Sequence, residues 1–233
     1  MLSKKLLLQV SVLALLANAC TDHAPLSPNE NPGTFTEKAT VDLGGEAAAE
    51  ISAYDPTTKR LFTVSNASAP LVQVVDLTNF PTLNKLTPIN VSALGGVANS
   101  VAVSNGKLAI ALEATNKQAD GSIVVINTTT LAVIKQITVG ALPDMVTFSP
   151  DGKYIVSANE GEPNATYTVD PVGSTSIINV DDNYSVKTLT FDAFAGSYSM
   201  LAQAGFRIFG PGASFAQDIE PEYVAVSADS KKA

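Results

Sequence analysis

The chain has 233 residues, of which 45% are hydrophobic and 15% charged, and its formal net charge is -8 at pH 7. This composition excludes a disordered chain, and the acidic balance disfavours nucleic acid and anionic lipid headgroups as partners. The single cysteine excludes an internal disulfide, and the single histidine, His23, leaves the domain after it without a catalytic triad or an imidazole metal site.

The N-terminus has the layout of a secretory signal over residues 1–19. Lys4 and Lys5 precede an apolar run, Leu6 to Leu16, which is too short to span a bilayer. Cys20 follows directly, and a cysteine at this place resembles the lipobox of a bacterial lipoprotein, in which the thiol carries a diacylglycerol. The sequence therefore predicts lipidation at Cys20, with ordinary cleavage beside an unmodified cysteine as the alternative.

Residues 20–33 are rich in Pro, Asn and Ser and predict a flexible spacer between the lipid and the domain. Thr21, rather than Asp, after the cysteine favours the outer membrane over the inner one. We thus expect an exported protein of the bacterial cell envelope, periplasmic or surface-facing. Its only membrane contact would be the N-terminal lipid, and its envelope or extracellular partner is not identified by the sequence.

A repeat fills the remaining chain, residues 34–233. Each copy combines a strand, a turn of the Asp-Pro, Asn-Gly or Pro-Asp-Gly kind and further short strands, a pattern typical of hairpins. Tyr54, Val103 and Phe148 hold equivalent places at spacings of 49 and 45 residues, which is the period of a β-propeller blade. A β-sandwich would not repeat a four-strand unit.

The repeat predicts an all-β fold, a partial β-propeller of about three four-stranded blades plus the first strand of a fourth. One short helix is expected at about residues 197–204, inside an insertion. The predicted blades are residues 46–93, 94–140 and 141–194, followed by the insertion at 195–217 and the partial blade at 218–233.

The segment "ITVGALPDMVTFSPDGKYIVSAN" resembles YVTN-type propeller repeats. Together with the EGEP motif (Glu160–Pro163) and the EPEY motif (Glu220–Tyr223), the chain from Gly45 to Asp229 resembles the choice-of-anchor I domains. This resemblance implies an exported propeller with no settled activity, although some relatives are described as phosphatases. Because closed propellers have four to eight blades, the sequence is expected to be an N-terminal portion of one.

Acidic and amide side chains are concentrated after the third repeat's hairpin, at Glu160, Glu162, Asn164 and Asp170. They offer only oxygen ligands, which suit Ca²⁺. The segment therefore predicts a calcium site, with solvated turn residues as the alternative.

A second acidic set recurs at equivalent places of successive repeats. The position just before the first strand of each repeat is held by Glu50, Asp144 and Glu222, and by Ser100 in the remaining repeat. The end of the second strand is held by Glu113 in one repeat and by Glu160 in the next. First strands line the channel of a propeller, so these carboxylates would focus negative potential at one channel mouth. Solvated strand ends are again the alternative.

Two functions follow from these patterns. The first is a binding or scaffold module without catalytic residues, since no P-loop, nucleophile elbow or dinucleotide fingerprint is present. The alternative is a calcium-dependent phosphoesterase resembling an alkaline phosphatase. It would need cations that face the phosphate, and Arg60 and Arg207 are the only arginines.

Overall fold

The computed structural model describes residues 32–34, 36–45, 49–66 and 69–233. The chain divides into two units, Met1–Lys38 and Ala39–Ala233. In the first, Pro32–Thr34 form a 3-10 turn, whereas the predicted signal peptide and Cys20 lie outside the described residues. No helix among the described residues has the length and apolar character needed to cross a membrane.

The second unit contains three antiparallel sheets, and in each the strands pair in chain order. The first sheet has β1 (Ser52–Asp55), β2 (Arg60–Ser65), β3 (Leu71–Asp76), β4 (Asn84–Lys85) and β5 (Ile89–Asn90). The second has β6 (Ala98–Ser104), β7 (Lys107–Leu112), β8 (Asp120–Asn127) and β9 (Val133–Ala141). The third has β10 (Pro143–Phe148), β11 (Tyr154–Asn159), β12 (Ser174–Asn179) and β13 (Ser185–Thr190). The prediction of an all-β partial propeller with three blades is confirmed.

The first blade has a divided outer strand. Both β4 and β5 pair with β3, and Pro88 lies between them. Proline has no N–H to donate to a ladder, so the pairing stops before it and resumes after it. The two short strands thus occupy the place of one fourth strand.

Local turn chemistry sets the register of the hairpins. Asn105 and Gly106, the two residues between β6 and β7, have φ values of 48° and 72°. Both central residues of a type I′ turn need positive φ, which Asn and Gly tolerate, and this turn matches the twist of paired strands. The Asn-Gly signal in the sequence therefore predicted this hairpin correctly.

Two apolar cores fill the spaces between neighbouring blades. The core between the first and second blades is built around Phe62, Val64, Leu108 and Ile110, and the core between the second and third around Ile123, Val125, Ile155 and Ile178. Successive side chains of a strand point to opposite faces of its sheet, so a strand between two cores contributes alternate residues to each. The blades are therefore stacked face to face.

The fourth repeat differs from the expectation because residues 219–227 form no strand. A segment becomes a strand only when its backbone groups are hydrogen-bonded to a neighbouring strand, and the described residues after 219–227 contain no such partner strand. The following turn nevertheless copies the third repeat. Ser149 and Ser227 bond Asp151 and Asp229 through their hydroxyls at 2.6 and 2.7 Å. Both serines also accept a backbone N–H five residues later.

The insertion after the third blade begins with a 3-10 helix, Asp192–Ser197, and continues as helix α1, Tyr198–Gln203. The rings of Tyr198, Phe206 and Phe215 contact one another, with centroids 5.0 to 6.4 Å apart. The prediction of a short helix in this insertion is confirmed. The three aromatic rings pack the helix against the later part of the same insertion.

Candidate functional site

The first strands of the three blades lie side by side and border a cavity. Strand β6 lies between β1 and β10. The cavity has a volume of about 220 Å³, and we call it the axial cavity. Residues that line it include Ile51 before β1, Ser52 in β1, Asn99 and Ser100 in β6, Asp144 and Met145 in β10, and Tyr223 from the EPEY motif.

A bulge sets which polar residue each first strand presents. The pairing of β6 with β7 shifts between Ala98 and Ser100, and that of β10 with β11 shifts between Pro143 and Met145. Asn99 and Asp144 are therefore the equivalent residues, and the prediction that Ser100 matches Asp144 is wrong by one position. A bulge inserts one residue, which turns every following side chain to the other face.

Glu113 and Glu160 hold equivalent places, as the repeat predicted. Each is the first residue after the second strand of its blade, and its backbone N–H bonds the carbonyl of Val97 or Leu142 at 3.1 and 2.9 Å. The same register places Asn66 there in the first blade, where its amide donates to the carbonyl of Ala98 at 2.9 Å. The first blade thus contributes no carboxylate at this position.

A buried polar network fixes the strand end that carries Glu160. The amide of Asn159 donates to the hydroxyls of Ser174 and Ser176 at 3.1 and 3.0 Å, and its oxygen accepts from Ser157 at 2.9 Å. All three partners lie within the third blade. Because buried polar groups that are fully bonded allow few alternatives, this network holds β11 and β12 in one register.

Two glycines bring the EGEP and EPEY motifs together. Gly161 has φ of 71°, and a Cβ placed on it would lie 2.7 Å from the carbonyl oxygen of Val172. Gly173 donates its N–H to Ala216 at 3.0 Å, and a Cβ there would collide with the carbonyl of Ile219. Such close backbone approach requires glycine. The acidic residues of both motifs therefore lie close enough to repel one another, since the charge of Glu222 acts on Glu160 and that of Glu162 acts on Glu220.

Partial burial and mutual repulsion raise the pKa values of these carboxyl groups. Burial, followed by the charges of Asp144, Glu162 and Glu222, raises the pKa of Glu160 to about 7. Burial is also the main cause that raises the pKa of Asp144, to which the Glu222 charge adds, and that of Glu113. We define Glu113, Asp144, Glu160, Glu162 and Glu222 as the acidic cluster.

One ammonium group opposes the acidic cluster. Lys117, in the loop between β7 and β8, donates to Glu162 at 2.5 Å, and the hydrogen bond with Glu162 and the charges of the cluster raise the pKa of Lys117. Gln118 also donates to the Glu162 carbonyl at 3.3 Å. These contacts join the loops of two adjacent blades. Sequence reasoning missed Lys117, because an isolated loop lysine has no local signal for its partner in the next blade.

The remaining predicted member, Glu50, is exposed before β1. The charges that shift the cluster's pKa values belong to the second and third blades and the EPEY motif, and among the described residues Glu50 is not one of them. The negative potential is therefore concentrated on one side of the channel mouth.

The predicted calcium ligands divide into two groups. Glu160 and Glu162 belong to the acidic cluster, whereas the oxygen of Asn164 accepts the backbone N–H of Thr168 at 2.9 Å. The pKa of Asp170 is raised by burial and then by the charge of Asp218. Within the described ranges, no three Asp, Glu, His or Cys side chains converge on one metal-sized point. The calcium site stays a prediction.

Three stacked four-stranded antiparallel blades around an axial cavity define a β-propeller protein. The profile of the choice-of-anchor I domain matches residues 50–233, and the chain belongs to this family. Membership indicates an exported protein of the cell surface. No curated protein matches the sequence.

Solved structures similar to the chain include three proteins. Hydrazine synthase of Kuenenia stuttgartiensis is 18% identical, with a TM-score of 0.35, over 62% of this chain and 54% of that one. The Pan2 WD40 domain of Neurospora crassa is 13% identical, with a TM-score of 0.44, over 61% and 40%. TolB from Acinetobacter baumannii is 19% identical, with a TM-score of 0.42, over 62% and 33%. This chain thus spans about half or less of the length of each of these three structures.

Proposed function

We propose that the protein is a lipid-anchored binding or scaffold module of the bacterial cell envelope, and that its contact surface for cationic ligands is the acidic cluster at the mouth of the axial cavity. The observation that supports this proposal is the convergence of carboxylates from two blades and the EPEY motif, with pKa values raised by burial and repulsion. Ionised carboxylates that repel one another lower the stability of the folded state. Carboxyl groups with perturbed pKa values are concentrated at functional sites of proteins.

The anchoring part of the proposal depends on Cys20 and the signal-like segment before it. Metabolic labelling with a palmitate analogue should mark the wild-type protein and spare Cys20→Ser, and the wild type should sediment with outer-membrane vesicles. Equal labelling of the two proteins would exclude lipidation at this residue.

Calcium is proposed as a stabilising ligand of the loop that carries Glu160 and Glu162. An ion that binds only the folded state stabilises it by about 2.7 kcal/mol at a hundredfold excess over its dissociation constant. Thermal melts with calcium chloride or a chelator should therefore show a higher midpoint with calcium. Glu160→Gln and Glu162→Gln should remove the rise, and Glu50→Gln, outside the cluster, should keep it. An unchanged wild-type midpoint would reject calcium.

The phosphoesterase alternative has little support from the arginines. Arg60 donates to the carbonyls of Thr128 and Thr129 at 2.7 and 2.8 Å, and Arg207 lies 4.9 Å from the ring centroid of Phe209. Both guanidinium groups thus serve structural contacts. Calcium-dependent hydrolysis of p-nitrophenyl phosphate, lost in Glu160→Gln, would nevertheless favour the enzyme over the binding module.

A further inference from the structure

The insertion after the third blade contains helices that bury none of their residues. This holds for the 3-10 helix Asp192–Ser197 and for helix α1, Tyr198–Gln203. A short helix in a protein normally gains its stability by packing an apolar face on the rest of the domain. The apolar residues of these helices are therefore not explained by the cores of the propeller.

Three large apolar side chains of this insertion are exposed to solvent. Phe194 is 53% exposed, Met200 66% and Phe209 74%. A Cβ placed on Gly196 or Gly205 would meet nothing within 4 Å among the described residues, so the space on both sides of helix α1 is open. Single exposed apolar residues are common, whereas several in one segment indicate a surface that contacts a partner or a membrane.

The charge of the insertion favours a membrane as the partner. From Ala193 to Gln217 the sequence has no carboxylate side chain, and its one charged residue is Arg207, although the whole chain has a formal net charge of -8. The guanidinium of Arg207 lies 4.9 Å from the ring centroid of Phe209. A bilayer presents phosphate groups above hydrocarbon, so a cation beside exposed apolar side chains complements it.

The proposed lipid at Cys20 would keep the insertion close to such a bilayer. The chain between Cys20 and Lys38 reaches at most about 60 Å even when it is fully extended. A tether of limited length raises the effective concentration of the domain at the membrane surface. Weak apolar contacts from the insertion are then sufficient to hold it against the lipid.

We propose that the insertion after the third blade is a membrane-contact surface. Phe194, Met200 and Phe209 enter the headgroup region of a phospholipid bilayer, and Arg207 binds a lipid phosphate. This inference rests on the proposed lipid anchor and adds a second membrane contact to it.

A dye on the insertion tests this contact in the full-length lipidated protein. Met200→Cys is labelled with the environment-sensitive dye NBD, and the protein is reconstituted into vesicles of phosphatidylethanolamine and phosphatidylglycerol. The dye emission should shift to shorter wavelength, and phospholipids that carry a nitroxide should quench it. The control position is Phe80→Cys, since Phe80 is 57% exposed in the first blade, and its dye should keep the emission of an aqueous environment.

A second substitution in the labelled Met200→Cys protein tests the apolar contact. Phe209→Asp should abolish the shift and the quenching, because a carboxylate is disfavoured near hydrocarbon, whereas Phe80→Asp should leave both unchanged. Aqueous emission at residue 200, a shift without quenching by the nitroxide lipids, or an equal response of the two Asp variants would each overturn the inference. Dye uptake by the wild type, whose only thiol is that of Cys20, would show that the lipid anchor is absent and would overturn the anchoring proposal together with this inference.

Discussion

Glu160 shows at the residue scale how the propeller changes the chemistry of a single carboxyl group. Its backbone is fixed at the end of β11, next to the bonded amide of Asn159, and the charge of Asp144 acts on its carboxyl group. Burial and three neighbouring negative charges raise its pKa from 4.5 to about 7. The group is therefore partly protonated at neutral pH in the folded protein and ionised in the unfolded chain.

The first prediction concerns the pH dependence of stability. Because the folded protein binds the Glu160 proton more tightly than the unfolded chain, this group lowers the free energy of unfolding as pH rises from about 4.5 to about 7. Below this window it has no effect, and above it the full cost remains. Urea denaturation between pH 5 and 8 should show this loss. Glu160→Gln should flatten the profile and be more stable than wild type at pH 8.

Asp144 and Glu113 have pKa values raised in the same direction, so part of the slope should persist in Glu160→Gln. Glu50→Gln is the control for this experiment and should follow the wild-type profile. Parallel profiles for the wild type and Glu160→Gln would mean that Glu160 is solvated in the folded protein.

The second prediction concerns the glycine that joins the two acidic motifs. A Cβ on Gly173 would collide with the carbonyl of Ile219, whereas a Cβ on Gly196 would meet nothing within 4 Å. Gly173→Ala should lower the free energy of unfolding by about 1–3 kcal/mol, as overpacking does. Gly196→Ala should change it little. Chemical denaturation measures both, and equal values for the two variants would contradict the contact between the β11–β12 loop and the EPEY motif.

At the element scale, the blades could be predicted because their determinants are local. The Asn-Gly turn, the apolar alternation in strands and the recurrence of both at a fixed period are all visible in the sequence. The equivalence of Glu113 and Glu160 followed from the same repeat. Pro88 likewise explains why the outer strand of the first blade divides into β4 and β5.

The spacing of 45 residues that relates Val103 to Phe148 also relates Asn99 to Asp144, and both strands carry their bulge at this place, so the assignment of Ser100 departed by one residue from a match that the sequence contains. The parts that could not be predicted depend on contacts between blades. Lys117 reaches Glu162 across 45 positions of sequence. Asn164 could not be recognised as a turn-forming side chain because asparagine is equally suited to a turn and to a metal site.

The third prediction tests the packing of one blade on the next. Phe62 in β2 is 0% exposed in the core between the first two blades, whereas Phe80 in the loop after β3 is 57% exposed. Phe62→Ala should lower the free energy of unfolding by about 3–5 kcal/mol, because it leaves a cavity in a closed core. Phe80→Ala should change it by less than about 0.5 kcal/mol. Guanidinium denaturation of both variants makes the comparison, and a small effect at Phe62 would contradict face-to-face stacking.

At the scale of the whole molecule, the protein concentrates part of its charge at one place. The chain carries a formal charge of -8, yet the first blade presents the neutral Asn66 at the position where the other two present Glu113 and Glu160. The acidic cluster is therefore an asymmetric feature of the channel mouth. Cation attraction at this site should weaken as salt increases, since exposed charges are screened beyond about 10 Å at 0.1 M ionic strength.

The central claim is that carboxylates from neighbouring blades converge at the mouth of the axial cavity. A carbon-detected NMR titration of the side-chain carboxyl of Glu160 tests it most directly, because that resonance reports the local charge environment. The structure predicts a midpoint at about pH 7 in the wild-type protein and a lower midpoint in Asp144→Asn, where one repelling charge is gone. A wild-type midpoint near 4.5, unchanged in Asp144→Asn, would contradict the convergence of the cluster.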